Sequence, residues 1–235
     1  MKYPVLLPNI FDHPFTYESD IKLNIGQYVE VPFGKNTLNG VVWDKFEEKN
    51  NKEFKIKKII KKLDIPKLSL NTINFFNWFS EYNLIPKGMS LKLHLLSKKA
   101  VENNLKFDYE KYNFKTKIHD IKLSDEQKKA LINIDKIKDK FRVHVLQGTT
   151  GSGKTYVYFQ SIKNKIREGY QCLILLPEIG LTFDFEKKFE NFFGFQPAIW
   201  HSQITKKNKK IIWNGLALGK IKVVIGARSS LFLPF

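Results

Sequence analysis

The sequence has a single cysteine, Cys172, so no intrachain disulfide framework can hold it together. No uninterrupted apolar run approaches the roughly 20 residues that a membrane span requires. The first apolar stretch meets Asn9 and Asp12 too early to serve as the core of a secretory signal. These absences lead to the expectation of a cytoplasmic chain without a membrane partner. Carboxylates are scarce, with 23 Asp plus Glu against 40 Lys plus Arg, for a formal charge of +17. Arginine is scarcer still: Arg142, Arg167 and Arg228 are the three in the chain, so the basic excess is lysine. Such a surplus favours polyanionic partners through counterion release. It also follows from an AT-rich coding composition, which enriches Asn, Ile and Phe as well. A content of 43% hydrophobic and 14% aromatic residues excludes a disordered class. A length of 235 residues allows two modest domains.

Residues 1 to about 65 read as β structure. Gln27 to Phe33 alternates apolar and polar, Gly34-Lys35-Asn36 supplies turn chemistry, and Gly40 to Trp43 resumes the apolar run, which together predict a hairpin. Phe54 to Ile60 reads as a further strand. From Ser69, a candidate N-cap, the period changes: Leu70, Ile73, Phe76 and then Trp78 or Phe79 recur at helical spacing. Pro86-Lys87-Gly88 breaks that run before a second short helix. Residues 98–122 are polar and rich in lysine and read as a linker.

Beyond the linker, the two periods alternate. Strands are predicted at Arg142 to Leu146, Gln171 to Leu176, Pro197 to His201 and Ile221 to Gly226. Helices are predicted at Lys154 to Glu168, Leu181 to Phe193 and Thr205 to Leu218. Strands separated by helices of this length imply a parallel α/β sheet. Trp43, Trp78, Trp200 and Trp213 fall within apolar runs, which favours packing over base stacking, and Cys172 and His201 read as structural.

Gly148-Thr149-Thr150-Gly151-Ser152-Gly153-Lys154-Thr155 completes the pattern G-x-x-x-x-G-K-[ST] between a predicted strand and a predicted helix. In such a loop the glycines let backbone N–H groups turn inward around phosphates, and the next helix presents its positive end. Lys154 is placed to reach β and γ oxygens, and Thr155 to ligate Mg²⁺. These residues are the candidate nucleotide-binding and catalytic set, with ATP and Mg²⁺ as the implied cofactors. Upstream, Ser124-x-x-Gln127 is a capping box opening a helix.

Further motifs follow in order: Leu176-Pro-Glu-Ile-Gly-Leu-Thr182, His201-Ser202, and Ile225-Gly-Ala-Arg-Ser-Ser-Leu-Phe-Leu-Pro234. Together with Leu123-Ser-Asp-Glu-Gln127 and the phosphate-binding loop, this order resembles the PriA family, the primosomal replication-restart helicases of superfamily 2, over nearly the whole chain. The fold implied is α/β: a small β-rich DNA-binding domain, then a partial RecA-like lobe with a P-loop and a parallel sheet. The division is 1–97 for the 3′-end domain, β-rich to about 65 and helical after, 98–122 for the linker, and 123–235 for the ATP-binding lobe. The resemblance places Gln127 where helicases read adenine, a role compatible with capping. It assigns Thr182, Arg228 and Ser229 to a single-stranded DNA track.

The N-terminal part resembles that family's domain for the 3′ end of a nascent strand. The resemblance gives Phe15, Thr16, Tyr17, Gly34, Lys35 and Lys57 as DNA-contacting residues. Thr16 departs from the pattern, standing where the family has an aspartate that accepts from the terminal hydroxyl, unless Asp12 has taken that part. The family's winged-helix domain has no counterpart in residues 98–122. The sequence stops at Phe235, before the D-E-x-H segment, the second lobe with its arginine finger and the zinc-binding cysteines, so no zinc site is expected in this chain. The implied activity is an ATP-dependent DNA helicase assembling primosomes at stalled forks. Forked and single-stranded DNA, other primosome proteins and single-strand-binding proteins are its implied partners. The truncated chain is expected to be inactive alone. The alternative is a non-catalytic module that binds fork DNA and nucleotide without turnover.

Overall fold

A computed structural model describes residues 1–45, 56–95, 107–113, 121–136, 141–177 and 183–235. The chain forms two compact units: Met1–Phe107 with Ile204–Leu218 and Leu231–Phe235, and Asp108–Gln203 with Gly219–Ser230.

The first unit is built on a six-stranded sheet of β1 (Lys2–Leu6), β2 (Phe15–Glu18), β3 (Tyr28–Phe33), β4 (Asn36–Val42), β5 (Lys57–Lys58) and β6 (Lys61–Lys62), in the order β5-β2-β1-β4-β3-β6. The expected hairpin is β3–β4, paired from Tyr28↔Val41 to Phe33↔Asn36, with Gly34 at φ 59° opening the two-residue turn. One strand was expected over Phe54 to Ile60. Phe54 and Lys55 lie outside the described residues, the rest of that stretch contains only β5, and β6 follows just beyond it on the opposite edge. β5 runs parallel to β2 and β6 antiparallel to β3, so residues 57–62 join the two edges and curl the sheet. Val5, Leu7, Tyr17, Leu23, Val29, Val31 and Val42 fill the curl, with Phe15, Phe33 and Ile59 at its rim. Helix α1 (Leu70–Asn83) is capped by Ser69, whose side chain accepts from the Thr72 N–H, and buries Ile73 and Phe76. Its Leu84 C-cap is left-handed at φ 52°, and α2 (Lys87–Leu95) follows Pro86.

The second unit contains α3 (Asp125–Asp135), α4 (Lys154–Arg167), β7 (Cys172–Leu175), α5 (Phe183–Phe193), β8 (Ala198–Trp200) and β9 (Val223–Gly226). β7 and β8 both pair with β9 in parallel, in the order β7-β9-β8, which bears out the expected parallel sheet. Its core is aromatic. Phe159 of α4 meets Phe189, Phe192 and Phe193 at 5.3–5.6 Å between ring centroids, and burial pushes the Cys172 thiol beside this cluster up to about 11. The strand expected at Arg142 to Leu146 did not form. Residues 141–149 join neither sheet, and Phe141, Val143 and Val145 are 92%, 75% and 88% exposed. Alternating apolar residues specify extension, but a strand also needs a neighbour to accept its N–H and C=O groups.

Helix α6 (Lys206–Ala217) lies between β8 and β9 in sequence yet belongs to the first unit, as do residues 231–235. Trp213 of α6 is fully buried, edge-on to Tyr28, and its indole N–H donates to the His94 carbonyl at 2.8 Å. The His94 ring is bonded on both sides, Nδ1 to the Phe232 carbonyl at 2.7 Å and Nε2 to the Tyr28 hydroxyl at 2.8 Å. A carbonyl only accepts, so Nδ1 carries the proton and Tyr28 donates to Nε2. Burial holds the imidazole neutral, lowering it to about 4. Phe232 completes the packing against Phe75, Phe76 and Phe79.

Candidate nucleotide and nucleic-acid sites

The phosphate-binding loop precedes α4, and its backbone is set by glycines. Gly151 and Gly153 take φ of 82° and 80°, which L side chains rarely adopt, and Gly153 is the N-cap of α4. A Cβ on Gly153 would come within 2.5 Å of the Gln127 amide nitrogen, whereas one on Gly151 would meet nothing within 4 Å. The Lys154 ammonium folds back onto the loop, donating to the carbonyls of Gly148 and Thr149 at 2.6 and 2.8 Å. At the start of α4 the Thr155 hydroxyl oxygen accepts from Tyr158 at 3.2 Å. Gly148, Thr149, Thr150, Gly151 and Ser152 are exposed.

Gln127 ties this loop to α3. The capping box is present, with the Ser124 side chain accepting from the Gln127 N–H and the Gln127 Oε1 accepting from the Ser124 N–H. The same amide donates from Nε2 to the Ser152 carbonyl at 2.9 Å. Asp135, at the other end of α3, accepts from Ser161 and Asn164 of α4 at 2.9 and 2.6 Å. α3 is therefore pinned at both ends beside the loop.

Of the expected DNA-track residues, Thr182 lies outside the described residues. Arg228 and Ser229 are exposed, at the start of a 3₁₀ turn (Arg228–Phe232) after β9. The buried Ser230 hydroxyl donates to the Ala227 carbonyl, and a Cβ on Gly226 would collide with Ser230 and the Trp200 carbonyl. The backbone beneath Arg228 is thus tightly packed while its side chain faces solvent.

In the first unit, β2 alternates: Phe15 is half-buried, Thr16 exposed, Tyr17 buried. Phe15 and Tyr17 face the core of the curl, and Thr16 faces the other way. Tyr17 donates to the Pro32 carbonyl at 3.1 Å, and burial raises its hydroxyl pKa. Tyr17 pairs with Lys57 across β2–β5, and Ile59, two residues on, packs against the core cluster, so Lys57 shares the face of Phe15 and Tyr17. Phe33 packs edge-on to Phe15 at 5.4 Å, which brings the exposed turn residues Gly34 and Lys35 beside it. Asp12 is elsewhere: its carboxylate accepts from the Lys87 N–H at 2.9 Å, capping α2. Phe11 and His13 lie outside the residues that the resemblance assigned, and their rings join Phe15 at 5.3 and 5.1 Å. The Phe-x-His-x-Phe alternation from Phe11 to Phe15 carried that signal.

Comparison with known proteins finds a family model over each of two stretches of the chain. Residues 4–95 match the family model of the PriA 3′DNA-binding domain, and residues 120–235 match that of the type III restriction enzyme res subunit. The chain is 36% identical to the replication restart protein PriA of Rickettsia conorii over 233 residues, 98% of this chain and 35% of that protein. It is 38% identical to the same protein of Rickettsia prowazekii, again over 98% of this chain and 35% of the relative. With the Bacillus subtilis protein the identity is 36% over 154 residues, 65% of this chain and 18% of the relative. The chain thus spans about a third of the length of the Rickettsia relatives, and it belongs to the PriA replication-restart family, fitting the N-terminal part of its members.

Proposed function

We propose that this chain supplies the DNA-end-binding and ATP-binding parts of an ATP-dependent DNA helicase that acts in replication restart and primosome assembly at stalled forks. The observation that carries the reading is the pairing, in one chain, of a 3′DNA-binding domain with a glycine-shaped loop over which Lys154 is already poised. The loop fits a nucleoside triphosphate with Mg²⁺. Its glycine backbone opens to solvent at Gly151, and the two carbonyls that hold the ammonium leave Lys154 at the loop mouth. Lys154 would neutralise β and γ oxygens, Thr155 would ligate Mg²⁺, and Gly148 to Gly153 would donate N–H groups. Gln127 would meet the adenine edge. The ion and nucleotide bring the phosphoryl chemistry; the chain positions and screens it. Thr182, Arg228 and Ser229 would grip single-stranded DNA, and Phe15, Thr16, Tyr17, Gly34, Lys35 and Lys57 would form the 3′-end surface. Other primosome proteins and single-strand-binding proteins are its partners in this reading, and the cytoplasm its place of action.

Lys154→Ala in the intact protein should abolish DNA-stimulated ATP turnover; turnover at the original rate would exclude the assignment. A second reading, a module that binds fork DNA and nucleotide without hydrolysis, draws support from residues 141–147, which precede the loop without joining a ladder. Phosphate release by the 235-residue chain, measured with a forked oligonucleotide, separates the two readings. Release that Lys154→Ala removes favours the enzyme, and Mg²⁺-dependent binding without release favours the module.

A further inference from the structure

The aromatic face of the first unit extends past the residues the resemblance assigned. Phe33, beside the β3–β4 turn, contacts Phe15 at 5.4 Å; Phe15 contacts His13 at 5.1 Å and Phe11 at 5.3 Å; Phe11 and His13 lie 5.7 Å apart. Four rings therefore run from the β1–β2 loop to the turn. The loop is held on both sides, because the Phe11 N–H donates to the Asn9 side chain at 3.0 Å and the Phe11 carbonyl accepts from Gly88 at 3.1 Å. Gly88 permits this approach, since a Cβ there would sit 2.5 Å from the Asn9 carbonyl. The Asp12 side chain points away to cap α2. Phe11 is 40% exposed, His13 is half-buried, and a Cβ on Gly34 would meet nothing within 4 Å, so this face is open at both ends. Lys35 is exposed in the turn, and Lys57 is exposed on the same face as Phe15.

Rings held in place with lysines beside them suit the flat bases and phosphates of single-stranded nucleic acid. The expected polar contact to a terminal sugar, Thr16, stands on the opposite face of β2. His13 is the polar ring inside the run. We propose that Phe11 and His13 form, with Phe15, the stacking platform for the last bases of a DNA 3′ end, and that His13 makes the polar contact that reads the terminal 3′ hydroxyl. The inference rests on the end-binding reading given above and names residues that reading did not contain.

The test uses the 235-residue chain and two labelled oligonucleotides, identical except for a 3′ hydroxyl or a 3′ phosphate. The wild type should prefer the hydroxyl end, and 2-aminopurine as its terminal base should be quenched on binding. Phe11→Ala should weaken both oligonucleotides about tenfold, from the loss of one stacking partner. His13→Phe keeps a ring and should remove the preference while retaining affinity. A wild-type preference that survives His13→Phe overturns the inference, as does an unquenched terminal base in a chain that binds. A wild type that binds neither oligonucleotide overturns the end-binding reading itself, and this inference with it. The quenching measurement needs no variant, so a variant that misfolds does not protect the proposal.

Discussion

The two units solve the same problem to different degrees. In the first, the sheet edges are taken up by β5 and β6, and the buried polar groups Tyr28, His94 and Trp213 are joined to one another and to the Phe232 carbonyl. In the second, three strands pack against an aromatic core, while Phe141, Val143 and Val145 stand in solvent next to the phosphate-binding loop. A curled sheet satisfies its own backbone groups, whereas a short parallel sheet keeps two edges that can accept further strands. Precision in the second unit is concentrated locally, in the Gln127–Ser152 and Asp135–Ser161 bonds that brace the loop.

The contrast can be tested most severely at Trp213. Trp213→Ala should cost about 3–5 kcal/mol, the range for deleting a large buried aromatic, and should sharply lower the thermal midpoint of the first unit. A loss below about 1 kcal/mol would mean that α6 is no part of that core.

Acid is the next lever. The folded-state pKa of His94 is depressed to about 4, against an ordinary value of 6.5. Its contribution is therefore complete above pH 6.5 and is lost as pH falls toward 4, by about 3 kcal/mol at the limit. Urea titrations between pH 7.5 and 4.5 should show this decline, and His94→Gln should flatten it.

A smaller effect is expected at the loop. Gly153→Ala forces an L residue into φ 80° and drives a Cβ against the Gln127 amide. The cost should be about 1–2 kcal/mol, accompanied by weaker binding of a fluorescent ATP analogue. The smallest belongs to Val145→Thr, which should change stability by less than about 0.5 kcal/mol because the side chain is already in water. A cost of about 2 kcal/mol there would place residues 141–149 in a ladder and erase the contrast between the units.

Much of this architecture was legible locally. The β3–β4 hairpin followed from alternation around Gly34, α1 from Ser69 and the Ile73–Phe76 spacing, and the capping box from Ser124 and Gln127. The phosphate-binding loop was legible because its glycines are a backbone requirement. What could not be read is non-local. Whether Val143 and Val145 find a neighbour depends on edges far away in sequence, and the splitting of 57–62 across two sheet edges depends on the curl. No local pattern marks His94 as a hub, because its partners at 28, 213 and 232 are scattered along the chain. The face of β2 that Thr16 occupies is fixed by strand alternation, whereas the resemblance marks a position and not a side.

The interleaving of the units also sets a schedule for biosynthesis. The chain passes from one unit to the other at residues 107–108, 203–204, 218–219 and 230–231. Tyr28 and His94 therefore emerge from the ribosome well before Trp213 and Phe232. At about 5–20 residues per second the wait exceeds roughly 6 s, long compared with the collapse of a chain this size. Through that interval the nascent N-terminal sheet carries an uncovered apolar seat, and only the arrival of Trp213 and Phe232 closes it.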